Sequence, residues 1–569
     1  MSNAAKGKRG TIDQLLRSVK SQVFEDEQNQ ENGSSAELAA DSAPRRLLNS
    51  WTFSKTQQLQ ARSTSNASLK SLKSEPVSPK LEPESGSVCK DTENEEIEPP
   101  KEVKDRAQSW SFWSRNIRPV EQPTPIETDA TLSEPVRQEP IDSPKKKKQK
   151  LASAPSRPNL VVPQFESLPC VTPGNYLYSA FNGLKSLAGY EPAPVGHLSR
   201  KTRASSFRRV LIIGVHGFFP TKMIRPLIGE PTGTSARFAQ AAEDAISAWA
   251  REQGMSIETQ KIALEKEGKI FDRVEFFFEA MQKWHEEVEK ADFIYVCAHS
   301  QGTPVAMMLV SKMIEHGLIA DNKRIAILGM AGINIGPYYG MDQSLFIRAY
   351  SSIENESMLE LFQFQNFQSL QSRKYLESVR NLIAHNVKIT LVGSVNDQLV
   401  PLYSSIGYHI SHPNIYKAVY IDGKSNTPDF VARIVKLSCM LQNLGYTDHG
   451  VIAEMSHALA GPLTGGGHSR IYNSPDVYTL ALNFALKTLD SSLAVRQPVR
   501  FHEIDVSDVG SNPFTLPWCT RGLFFDVKKR LDDGEKEIDM VFKEFDDWNP
   551  ESKVLRDVKY RLNGIKDKL

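Results

Sequence analysis

The sequence has few cysteines: Cys89, Cys170, Cys297, Cys439 and Cys519 are the five in 569 residues, and no two are spaced as a CxxC. That excludes a disulfide scaffold or a zinc ribbon and suits a reducing compartment. No apolar run reaches the roughly 18 residues needed to span a bilayer, and the N-terminus has no signal-peptide core. The expectation is a cytoplasmic protein whose membrane contact, if any, is peripheral. Neither charge sign is in excess, with 69 Lys+Arg against 68 Asp+Glu. Residues 1–150 hold 24 basic and 23 acidic groups, and the remainder holds 45 of each. A chain so balanced is not built to coat nucleic acid. Neither a metal nor a cofactor is expected.

At about 150 residues per domain, the length admits three or four domains, provided that all of it folds. Composition argues that it does not. Up to about residue 158 Ser, Pro, Glu, Gln and Lys dominate, and apolar residues are too sparse to offset the entropy of ordering, so a disordered leader is expected over 1–158. Three features interrupt it. In TIDQLLRSVKSQVF, Ile12, Leu15, Leu16, Val19 and Val23 share a helical face, and Thr11 with Gln14 fits a capping box. Its basic residues suit an anionic membrane or a partner's groove, or the helix is transient and has no partner. The related words SWTFS and SWSFWS offer Trp51, Trp110, Phe112 and Trp113 as anchors for the folded domain, an unknown protein or a bilayer interface. The run Lys145–Lys150 is a phosphate-binding or import patch, or simply a solvated linker.

From residue 159 short apolar runs alternate with amphipathic helices. RRVLIIGVHGFF, IETQKIALE, DFIYVCAHSQG, KRIAILGMAG, VKITLVGS and YKAVYID read as strands, with helical segments of 12–20 residues between several of them. The pattern predicts βαβ units in an α/β fold, with a mostly parallel central sheet and helices on both faces. The predicted organisation is a sheet domain over 159–490, a helical cap insertion at about 333–385 and a helical C-terminal appendage over 491–569. The cap stretch is rich in aromatics, including Tyr338, Tyr339, Phe346, Tyr350, Phe362, Phe364, Phe367 and Tyr375. Lining a cap they suit an apolar acyl chain; packed shut they are ordinary core.

Chemistry concentrates where strands end. Ala298-His299-Ser300-Gln301-Gly302 follows the strand DFIYVC and precedes a helix, the setting of a nucleophile held on a strained turn between small residues. His216-Gly217-Phe218-Phe219 ends an earlier strand, so the Phe218 and Gln301 backbone N–H groups are candidate oxyanion donors, with His216 a structural residue of that loop. Asp397 follows the strand VKITLVGS and precedes Val400-Pro401, where a carboxylate can fix a histidine tautomer; Asp422 is its competitor. Of the downstream histidines His449, His457 and His468, the last lies in a Gly-rich loop before a helix start at Asn473-Ser474-Pro475, and it is preferred as base.

The order Ser–Asp–His, the H-G strand end, the A-H-S-x-G elbow and the G-S-x-x-D-x-x-V-P acid turn resemble the α/β-hydrolase superfamily. More narrowly they look like its fungal branch of predicted serine esterases and lipases. The resemblance covers roughly residues 160–490 and implies a serine hydrolase of the esterase or lipase kind, while the apolar character of the ester is read from the cap aromatics. It also suggests that the Trp-Ser-Phe-Trp word and the LPWCTRGLFF segment belong to that branch. Ala298, where the elbow usually has Gly, and the long gap from Asp397 to His468 depart from the common pattern. Competing readings are a thioesterase or peptidase on the same scaffold, or a non-catalytic scaffold acting through its leader.

Overall fold

The computed structural model describes residues 157–171, 195–218, 234–341, 352–461, 466–512 and 514–550, with six positions between 553 and 563. The expected leader, with its Trp words and Lys-rich run, lies outside the described residues except for its last two positions, and Phe219, Phe346 and Tyr350 also lie outside them.

The strands are β1 Leu160–Val162, β2 Arg209–Val215, β3 Glu258–Leu264, β4 Phe293–His299, β5 Arg324–Met330, β6 Lys388–Ser394, β7 Ile410–Ser411, β8 Ile415–Ile421 and β9 Arg500–Phe501. Seven form one sheet in the order β1-β8-β6-β5-β4-β2-β3, in which only β1 runs antiparallel to its neighbour. β7 and β9 pair separately as a two-residue ribbon. All six strands read from the sequence are present. In β4 every residue is buried. Its pleat sends Ile294, Val296 and Ala298 into one core and Phe293, Tyr295 and Cys297 into the other. A strand covered on both faces has no polar side, which is why these segments are near-continuous apolar runs.

The longer helices are α1 Ser235–Glu252, α2 Ile270–Gln282, α3 Gly302–Glu315, α4 Ser352–Phe362, α5 Leu370–Ala384, α6 Asp429–Asn443, α7 Val451–Leu459, α8 Pro475–Leu486, α9 Thr515–Arg530 and α10 Gly534–Asp547. Side chains of α1 and α8 fill one core, and those of α2, α3 and α5 the other. The segment IFDRVEFFFEAMQKWHEEVEKA, which reads as one long helix, breaks after Gln282 and resumes as the short turn His285–Lys290. The break lets Val288 enter the core at 0% exposure.

The described part of the stretch expected as a cap is helical, holding α4 and α5. α5 lies against α3, and Phe364, Tyr375, Val379 and Leu382 are sealed in the sheet's core. Of the described aromatics in this stretch Tyr339 is exposed, and the others are buried or half-buried. Aromatic richness did not separate the two outcomes, because ring burial stabilises a core as well as a pocket wall.

C-terminal to the sheet, α9 and α10 pack on α6 and α7 through Leu523, Phe524, Val527, Val541 and Phe545. Arg433 of α6 pairs with Glu537 and Glu544 of α10, fixing the crossing. LPWCTRGLFF forms much of α9, with Trp518 and Phe525 on its exposed side. Among the described residues no helix is long and apolar enough to cross a membrane.

Candidate active site

β4 ends at His299 and α3 begins at Gly302, so the chain reverses over Ser300 and Gln301. Ser300 takes φ of +55°, a left-handed conformation that a side chain rarely adopts. Its main chain is held on three sides. Ser300 N donates to Met330 O at 2.9 Å, and Ser300 O accepts from Thr303 N at 3.0 Å and Ile333 N at 3.3 Å. The adjoining strand end touches the elbow so closely that a Cβ on Gly302 would press into His216 O and stand 2.7 Å from Val215 O. A Cβ on Gly217 would stand 2.9 Å from Ser300 Cβ. Ala298 is buried within β4 opposite Val215 of β2, so its methyl replaces the usual Gly without disturbing the turn.

The loop ending β2 is fixed by its histidine. His216 Nε2 accepts from Lys266 N at 2.8 Å, so Nδ1 carries the proton and donates to Gly217 O at 2.6 Å. That carbonyl belongs to the peptide whose N–H is Phe218's. Burial, with Arg273 adding to it, lowers the His216 pKa to about 3, so the ring stays neutral. The N–H groups of Phe218 and Gln301 donate to no carbonyl among the described residues.

Asp397 lies after β6 and is 1% exposed. Its Oδ1 accepts from Leu399 N at 2.8 Å and Val400 N at 2.9 Å, and Oδ2 sits 2.8 Å from His468 Nδ1. A carboxylate engaged in this way orients the imidazole through its Nδ1 side. His468 is held by more than the acid. Its N–H donates to Gln398 Oε1 at 3.0 Å, and its carbonyl accepts from His299 Nε2 at 2.8 Å. The His299 and His468 rings lie 4.6 Å apart. Burial, then the neighbouring His468, pushes the His299 pKa well down, so His299 is a neutral donor.

The structure thus brings Asp397 and His468 into contact and seats His468 on the residue preceding Ser300. Among the described residues Ser300 Oγ and His468 Nε2 carry no hydrogen bond. In unliganded sites the nucleophile–base hydrogen bond is commonly long and tightens with substrate.

The competitors are elsewhere engaged. Asp422 pairs with Arg470, two residues beyond His468, and so anchors the histidine loop. His449 pairs with Asp526 of α9 at 2.7 Å. His457 stacks edge-on against Tyr338, whose hydroxyl donates to Asp397 O and Ser456 O. Sequence reasoning gave Tyr338 only as a cap aromatic and missed Gln398 and Arg273. The last is wholly buried on α2 and donates from Nη2 to His216 O and from Nη1 to Gln301 Oε1, each at 2.6 Å. Among the described residues no group of three His, Cys, Asp or Glu is placed to hold a metal.

No curated protein matches the chain. Among solved structures, phospholipase PlaB from Legionella pneumophila is similar at 11% identity and a TM-score of 0.25, over 35% of this chain and 45% of that one, so the chain spans less than half of that protein. Est1E from Butyrivibrio proteoclasticus is similar at 14% identity and a TM-score of 0.24, over 38% of this chain and 78% of that one. A lipase-esterase related protein from Clostridium acetobutylicum ATCC 824 is similar at 12% identity and a TM-score of 0.21, over 35% and 79%. Residues 179–526 match the YMC0/YMC35 alpha/beta hydrolase domain, which takes in both the elbow and the histidine loop. The chain therefore belongs to the YMC0/YMC35 alpha/beta hydrolase family.

Proposed function

We propose that this protein hydrolyses carboxylic esters through an acyl-enzyme on Ser300. His468 Nε2 takes the Ser300 Oγ proton as Oγ bonds to the ester carbonyl carbon. Asp397 holds Nδ1 protonated and stabilises the imidazolium. The Phe218 and Gln301 N–H groups receive the oxyanion. Collapse of the tetrahedral adduct breaks the bond to the leaving alcohol, which takes the proton from His468. Water then attacks the acyl-enzyme with the same base, releasing the acid and restoring Ser300.

The observation that carries this reading is the 2.8 Å contact between His468 Nδ1 and a buried Asp397 whose other oxygen is already satisfied. A scaffold without chemistry has no use for a buried carboxylate aimed at an imidazole beside a strained serine. An apolar acyl group is the proposed substrate feature. The chain passing the elbow supports it, since it buries Ile333, Ile335 and Tyr338 and presents no charged side chain there. Hydrolysis of short- and long-chain p-nitrophenyl esters tests the proposal. Turnover that falls by about 10⁴-fold in Ser300→Ala is expected, and turnover that survives the substitution contradicts it.

A further inference from the structure

Arg273 sits where a solvated charge has no business. Along α2 the buried stripe is Ile270, Arg273, Val274, Phe277, Phe278 and Met281, so the guanidinium points to the core side. It is 0% exposed. No carboxylate pairs with it among the described ion pairs, although the buried Glu360 lies close enough to raise its pKa. Burial lowers that pKa to about 9, which leaves Arg273 a cation at pH 7. Its Nε has no hydrogen-bond partner.

Such a group is a poor choice for stability alone. A buried cation without a directly paired carboxylate is costly to desolvate, and an apolar side chain of the same length would fill the space more cheaply. What an aliphatic side chain cannot do is bridge. One arm of the fork holds His216 O, in the loop that carries the Phe218 N–H, and the other holds the Gln301 side chain, whose residue carries the second N–H. Gln301 Nε2 in turn donates to Gly268 O at 3.2 Å, so the amide is fixed from both ends.

We propose that Arg273 is a positioning residue that ties the His216–Phe218 loop to the elbow and sets the spacing of the two oxyanion donors. The planar fork suits this task, because two donors at a fixed angle reach two chain segments together, whereas the single ammonium of a lysine does not hold both rigidly. The inference rests on the ester-hydrolysis reading above. It places Arg273 outside contact with substrate, acting through the two segments that do the binding.

The test is steady-state ester hydrolysis by the full chain carrying Arg273→Met, Arg273→Lys, Gln301→Met and the Arg273→Met/Gln301→Met pair, alongside urea unfolding of each. Arg273→Met should lower kcat by about 10²-fold, the scale of one lost oxyanion donor, with KM little changed. Arg273→Lys should recover part of kcat, Gln301→Met should lose less than Arg273→Met, and the pair should be no worse than Arg273→Met alone. A folded Arg273→Met with wild-type kcat overturns the inference, as do losses that simply multiply in the pair. If Arg273→Met does not fold, Gln301→Met decides: an unchanged kcat there overturns the inference, and a kcat defect with KM held supports it. Wild-type protein that turns over no ester and fails to label with a fluorophosphonate overturns the hydrolase reading and this inference together, whereas active wild type beside an indifferent Arg273→Met overturns this inference alone.

Discussion

His468 Nδ1 stands 2.8 Å from Asp397 Oδ2 although 71 residues of chain separate them. The intervening chain runs through β8, α6 and α7 before returning, so the long gap is filled by folded elements that pack beside the sheet. Asp397→Asn keeps the side chain's size and the bonds that Leu399 N and Val400 N make to its oxygen, but removes the charge that fixes the imidazole tautomer. The expected result is a fall in kcat of about 10⁴-fold with little change in KM. Steady-state kinetics on a p-nitrophenyl ester measures it, and a loss under tenfold would speak against the role.

Three histidines lie downstream of Asp397 in the α6–α8 region, and the geometry separates them. His449→Ala removes a half-buried pair with Asp526, and His457→Ala a ring packed on Tyr338. Both variants should keep turnover within about tenfold of wild type, while His468→Ala loses about 10⁴-fold. Each variant's folding is checked by circular dichroism. Collapse of His449→Ala with His468→Ala spared would reassign the base.

Gly302 illustrates how tightly the elbow meets β2. A methyl there would push into His216 O and Val215 O, buried backbone atoms at the end of β2 and in the loop that follows it. Gly302→Ala should therefore cost about 1–3 kcal/mol or more in urea unfolding, as overpacking in a rigid core does. A change within about 0.5 kcal/mol would show that the strand yields, since that is the range of a neutral surface substitution.

Several histidines are buried neutral, which sets a pH dependence. Burial, with Arg273 adding, holds His216 near a pKa of about 3, and burial holds His412 at about 4 and His299 well below its ordinary value. In the unfolded chain each titrates near about 6.5. Between that value and the folded pKa the unfolded chain binds protons that the folded one refuses. Stability is thus fully present above about pH 7 and is lost as pH falls, by about 1.4 kcal/mol per pH unit for each such group. Burial raises the pKa of Glu360, which opposes this trend only in the range just above the ordinary carboxylate pKa. The urea midpoint at pH 5 should lie clearly below that at pH 7; equal midpoints would mean that these rings charge without cost in the folded state.

The legible part of this protein was the part with one solution. Parallel strands buried on both faces leave apolar runs that nothing else explains, and the turns at their carboxyl ends hold the residues proposed to carry chemistry, as at Ser300 and Asp397. β1 escaped notice because three residues carry no period. The aromatic stretch before β6 was ambiguous in principle, and Phe364 and Tyr375 went to the core. Arg273 was missed because a charge in an amphipathic helix ordinarily marks the solvated side. Its signal was there in the spacing, on the stripe of Ile270, Val274, Phe277 and Met281. Gln398 and Tyr338 had no such signal, since their partners are brought near only by the fold.

Fluorophosphonate labelling of the intact protein probes the proposed nucleophile Ser300 itself. The probe phosphonylates a serine only when base and oxyanion donors act on it together. Labelling of wild type that is abolished in Ser300→Ala, with both proteins folded, is the predicted result. Wild type that stays unlabelled, or Ser300→Ala that labels as strongly as wild type, would contradict it.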